Sequence, residues 1–87
     1  MTILDEKIDT RVKEVWFEAD AMTVALADGR KISIPLAWFP RLLNATAQQR
    51  QNWMLAAGGH GIHWPEIDED LSTEGLLRGT PAPAPKP

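Results

Sequence analysis

Two histidines, a tryptophan and five carboxylates crowd into one stretch of the chain, Gly58 to Gly79, which opens and closes on glycine. His60, His63, Asp68 and Asp70 are residue types that could gather a divalent ion, imidazole nitrogen and carboxylate oxygen both suiting zinc. Their spacing speaks against it, because His60-x-x-His63 is neither a helical i,i+4 pair nor part of a finger. His63, beside Trp64, has the chemistry of a general acid or base near neutral pH. Such a base needs an orienting partner and a nucleophile. Ser72 is the hydroxyl at hand, and its position suits a helix cap better. Gly58-Gly59-His60-Gly61 lacks the Lys-Ser or Lys-Thr that completes a phosphate loop. The chain has no cysteine, which excludes thiol catalysis, disulfides and thiolate metal sites. These residues predict a non-enzymatic protein with no cofactor. Asp68 and Asp70 are expected to accept backbone N–H groups around a turn and near the start of a last helix.

Binding is the other chemistry that the residues offer. From Arg30 to Pro65 every formal charge is positive (Arg30, Lys31, Arg41, Arg50). From Glu66 to Glu74 every charge is negative (Glu66, Asp68, Glu69, Asp70, Glu74). Such asymmetry can steer a charged protein partner. The partner-binding candidates are Trp38, Arg41, Arg50, His63, Asp68, Glu69 and Asp70. Four dispersed cations on a chain of net charge −3 make a weak footprint for nucleic acid. Trp38, Phe39 and Trp53 are expected in the core; an exposed one would mark a binding patch.

The elements that must position these residues follow from pattern. The 87 residues suit one domain, expected over residues 11–79 between a polar lead-in (1–10) and an alanine–proline tail (80–87). Arg11 to Glu18 reads as a strand with Val15 and Phe17 on one face and Val12 and Trp16 on the other. Met22, Val24 and Leu26 alternate, as do Ile32, Ile34 and Leu36, so two half-buried strands flank Asp28-Gly29. Parity fixes the loop at three residues, Ala27-Asp28-Gly29. Leu26 then meets Arg30, Val24 meets Ile32, Met22 meets Ile34, and Gly29 takes the left-handed position. Pro35 ends the third strand. Pro40 opens a short helix that Asn44 stops. Thr46 and Gln49 form a capping box for a second helix from Ala47 to about Leu55. Gly61 to Trp64 makes a fourth strand, Ile62 and Trp64 inward and His63 outward. Ser72 caps a last helical turn, Thr73 to Arg78, anchored by Leu76 and Leu77 and stopped by Gly79. The fold expected is α+β: a three- to four-stranded antiparallel β-meander with two or three short helices packed on one face.

Met1 to Lys7 develops no apolar run like that of a signal peptide. No stretch approaches the ~20 apolar residues of a membrane span, and a cytoplasmic location is expected. A free strand edge could pair two copies.

The run Ile34-Pro35-Leu36-Ala37-Trp38-Phe39-Pro40-Arg41-Leu42, then Ala45-Thr46 with Gln49-Arg50 and Trp53, then Gly61-Ile62-His63-Trp64-Pro65, and finally Ile67-Asp68-Glu69-Asp70-Leu71 with Gly75-Leu76-Leu77, resembles the bacterial domain of unknown function 2442. The likeness covers about residues 11–79. It implies a small α+β domain in which a β-meander precedes a helical unit. Some members carry a helix-turn-helix domain afterwards, implying regulators; too little chain follows here, so that role carries over poorly. Genes of such proteins often neighbour one for another uncharacterised small domain. The implication is a toxin–antitoxin pair in which this type of protein is the antitoxin-like partner. The resemblance supplies no catalytic residue.

Overall fold

A computed structural model describes residues 8–79. The expected tail, and most of the expected lead-in, lie outside them. Among the described residues, six strands and three short helices run in the order β1 (Val12–Glu18), β2 (Ala21–Leu26), β3 (Lys31–Pro35), a 3-10 turn (Leu36–Trp38), α1 (Pro40–Leu43), α2 (Ala47–Gln51), β4 (Met54–Ala56), a second 3-10 turn (Ala57–Gly59), β5 (Gly61–Trp64), β6 (Glu69–Ser72) and α3 (Thr73–Arg78). The class is α+β. The strands form two three-stranded antiparallel sheets, β1-β2-β3 and β4-β5-β6.

The first sheet follows its sequence pattern closely. Met22 pairs with Ile34 and Val24 with Ile32. The Leu26 N–H donates to the Arg30 carbonyl at 2.8 Å, the Gly29 N–H to the Leu26 carbonyl at 3.0 Å, and Gly29 sits at φ 99°. This is the three-residue loop with a left-handed glycine that parity demands. One expectation fails. Val12 pairs with Leu26 while Glu14 pairs with Ala25, so Lys13 is an extra residue, a β-bulge. A bulge shifts side-chain parity by one. Val12 therefore joins Val15 in the core, both at most 5% exposed, and Trp16 stays behind on the outer face.

The second half departs further. α2 ends at Gln51, because Asn52 leaves helical geometry at ψ 63°. Met54–Ala56 then pairs with Gly61–His63 as β4 instead of extending the helix to Leu55. Glu69–Ser72, expected as a turn, is strand β6. α2 buries no residue, so it does not roof the meander. The roof is the second sheet, through Ile62 and Trp64, with Leu36, Phe39 and Leu42 from the corner after β3. Thr46 and Gln49 do make both bonds of the capping box. Ser72 accepts from the Gly75 N–H at 3.0 Å, and Gly79 closes α3 at φ 82°. Leu76 is buried as expected, but Leu77 is 42% exposed, on the solvent side of so short a helix.

Trp64 is the centre of the arrangement. Its side chain is fully buried, and its indole N–H donates to the Arg50 carbonyl at 3.0 Å. Phe17 from the first sheet meets it edge-on, centroids 6.5 Å apart, a favoured aromatic geometry. Arg50 stands 5.7 Å over the Phe17 ring, and it donates to the Leu42 and Leu43 carbonyls at the end of α1. One side chain thus joins α2, α1 and β1 around the tryptophan. Among the described residues no helix is long and apolar enough to cross a membrane.

Candidate functional site

The histidine-and-acid stretch does not converge. β5 and β6 put His63 directly across from Asp70, and the His63 Nδ1–Asp70 Oδ1 distance is 2.7 Å. The carboxylate orients the imidazole, as a base requires. The pair lies on the outer face of the second sheet, with Met54 on the third strand of the same rung. His60 sits apart in a shallow groove shared with Asp70 and Ser72. The Ser72 hydroxyl is engaged in capping α3. Among the described residues no three histidine, aspartate or glutamate side chains close on a common point as metal ligands would.

Among the described residues, Asp68 and Asp70 do not accept the backbone bonds expected of them, because Asp70 lies within strand β6 and Asp68 in the turn before it. Asp68 adopts φ 53°, a turn conformation that aspartate tolerates. Its carbonyl, not its carboxylate, accepts from Arg41 Nη1. Glu69 shares the inward face of Trp64 by strand parity and is 7% exposed. Burial raises its pKa, and Arg41, 3.8 Å away, opposes that shift. Arg41 and Glu69 thus bind each other. Trp38 is half-buried against the core, and Arg50 is occupied as described.

The cations are largely committed. Arg11 pairs with Asp9 at 2.6 Å, Arg30 with Asp28 at 2.8 Å and Arg78 with Glu74 at 2.6 Å. Hydrogen bonds from Arg11 and Arg30 hold the Asp9 and Asp28 carboxyls at about 2. Lys31 lies 5.9 Å over the Trp16 ring, a cation–π contact. Lys13 makes no ion pair among the described residues.

A different surface stands out, one that residue types alone did not single out. β4 is an edge strand, and Met54 and Leu55 on it are 53% and 49% exposed. Leu55 faces the same side as Ile62, its partner, which is 1% exposed. Beyond Leu55 the two sheets part, leaving a groove of about 320 Å³ lined by Arg11, Val12, Lys13, Leu55 and Gly59 among others. The apolar run Met54-Leu55-Ala56 before Gly58-Gly59 is the available signal, disguised by its place at the end of the helix expected from Ala47 to about Leu55.

The comparisons agree with this architecture. The family model described as "Protein of unknown function (DUF2442)" matches residues 12–82. A crystal structure of a protein of unknown function from Rhodospirillum rubrum is 25% identical, with a TM-score of 0.72 over 85% of this chain and 92% of that one. The solution structure of an uncharacterized protein from Chromobacterium violaceum is 22% identical, again with a TM-score of 0.72, over 85% of this chain and 70% of that one. The second likeness shows the fold alone. No curated protein matches the sequence.

Proposed function

We propose that this chain, which belongs to the DUF2442 family of proteins of unknown function, is a non-catalytic module that acts by binding another protein. The observation that carries this reading is the exposed apolar edge at Met54 and Leu55. Large apolar side chains grouped on a free strand edge suit protein contact. A catalytic role has less support: the His63–Asp70 pair has an oriented imidazole, but the nearby hydroxyl, Ser72, is a helix cap. A DNA-reading role is disfavoured by the partners that the arginines already have. In its specific form, the partner is the product of a neighbouring gene and the pairing is antitoxin-like, as the family resemblance implies.

Co-purification tests the reading. The chain is tagged at native expression level and recovered with its neighbour's product. A stoichiometric complex that persists at micromolar concentration is expected. Two proteins that sediment separately would overturn the proposal.

A further inference from the structure

Independently of the module reading, we infer that the outer face of the second sheet binds a single soft monovalent metal ion, of the copper(I) class, with Met54 Sδ and His63 Nε2 as its ligands. The first ground is the rung itself. Met54, His63 and Asp70 stand side by side on β4, β5 and β6. His63 is in the middle, so the Cβ of each neighbour lies about 4.5–5.5 Å from its own. The imidazole thus has a carboxylate on one side to orient it and a thioether on the other to share an ion.

The second ground is the ring nitrogen left free. Asp70 Oδ1 stands 2.7 Å from His63 Nδ1, so the carboxylate accepts the Nδ1 proton and Nε2 keeps its lone pair. A hydrogen bond on one nitrogen fixes which one a metal takes, and a carboxylate in that role strengthens the ligand. The two nitrogens point to opposite sides of the ring. With Nδ1 turned to β6, Nε2 leans outward on the β4 side, where Met54 stands. Met54 is 53% exposed, and its unbranched stem lets the sulfur close on an ion. The rung alongside is Ala56, Gly61 and Ser72, residues too small to wall the ion out. A shallow groove of about 320 Å³ opens there, lined by Ala56, Gly61 and Asp70 among others.

Donor softness then selects the ion. A thioether is a poor donor for hard divalent ions, whereas copper(I) takes thioether and imidazole together at low coordination number. The tetrahedral set of zinc asks for more donors than the rung holds, and among the described residues no three histidine or carboxylate side chains converge to complete it. Asp70 is a positioning residue, its oxygen being engaged by Nδ1. Met22 is fully buried in the core and out of reach of any ion in solvent.

The test is a titration of the isotope-labelled full chain with silver(I) nitrate in chloride-free buffer, silver(I) being a redox-inert counterpart of copper(I). Histidine ring nitrogens, methionine methyls and backbone amides are followed together. Saturable shifts are expected at His63 Nε2 and the Met54 methyl, with His60 and Met22 unmoved. Met54→Leu should weaken silver(I) by about tenfold or more and leave the weaker binding of zinc(II) as it was. His63→Gln should abolish the Met54 shift while amides elsewhere report an intact fold. Asp70→Asn should weaken silver(I) about tenfold and release the His63 ring from its single Nδ1–H form, a change visible in the ring nitrogen shifts. Copper(I), kept reduced by ascorbate, should reproduce the pattern. Zinc(II) binding as tightly as silver(I), an unchanged affinity in Met54→Leu, shifts centred on His60, or no saturable shift would overturn the inference. Leucine keeps the β4 edge apolar, so Met54→Leu leaves recovery of a partner protein unaffected, and a failed ion site leaves the module reading standing.

Discussion

The two sheets of this small domain carry different burdens. In the first, strands of five to seven residues meet through short turns, and nearly the whole of β2 is buried. In the second, strands of three or four residues are held by a left-handed turn, by a four-residue loop and by Trp64. Its outer face carries the His63–Asp70 pair, and its β4 edge leaves Met54 and Leu55 in solvent. The first sheet supplies half of the core cluster, Val12, Val15, Met22, Val24, Leu26 and Ile34; the second closes that core with Ile62 and Trp64 and leaves an edge free. Free edges are a liability that proteins blunt. β1 is blunted by its bulge at Lys13, and β3 ends on Pro35. β4 has brevity alone.

Substitutions can break or sharpen this contrast. The largest effect is expected where the sheets meet. Trp64→Ala should destabilise the fold by about 3–5 kcal/mol, whereas Trp16→Ala, on the outer face of the first sheet, should lose less than about 1 kcal/mol. Urea denaturation of both variants checks this, and equal losses would refute the assignment of the core. Arg50→Ala comes next at about 1–3 kcal/mol, since two carbonyls lose their donor and Phe17 its cation. The turns should then respond with opposite signs. Ala57→Gly, relieving an L-residue at φ 52°, should raise stability by about 1 kcal/mol. Gly29→Ala, at φ 99° in the first sheet, should lower it by a similar amount, read as shifts in denaturation midpoint.

The smallest effects are those of pH. Glu69 is buried and its pKa is raised above the ordinary 4.5. Its contribution is fully present below 4.5 and is lost as pH rises through the folded value. Glu69→Gln should flatten that decline. Asp28, held at about 2 by Arg30, acts in the opposite sense: its contribution is present above 3.8 and is lost as pH falls toward 2. The Asp28 side chain is largely covered, 8% exposed, but its partner Arg30 stands half in solvent, so Asp28→Asn should change mainly the acid limb, and modestly. Midpoints measured from pH 2.5 to 8 separate the two.

Legibility in the sequence follows the same division. The β2–β3 register could be read because alternation over whole strands and a turn glycine both specify it, and each favours one parity. Val12 was misplaced because a bulge leaves no mark in composition beyond a lysine at an edge. β4 and β6 were hidden for a different reason. Segments of three or four residues have too few alternations to distinguish periods, and β6 is half carboxylate. Their strand character comes from β5 between them, whose Ile62 and Trp64 were recognised as inward-facing. The capping box, the serine cap and the glycine stop were all legible, because each is a local bond between near neighbours. The His63–Asp70 pair was not, since its partners meet only across a ladder that the acidic run conceals. Nor was the groove, which depends on where two separate sheets part.

A photo-activatable side chain, placed in cells at position 55 on the β4 edge or at position 33 on the first sheet, compares the two regions directly. The expected result is a discrete adduct from position 55, attached to one partner protein, and none from position 33. Adducts from position 33 with none from position 55 would contradict the assignment of contact to the second sheet.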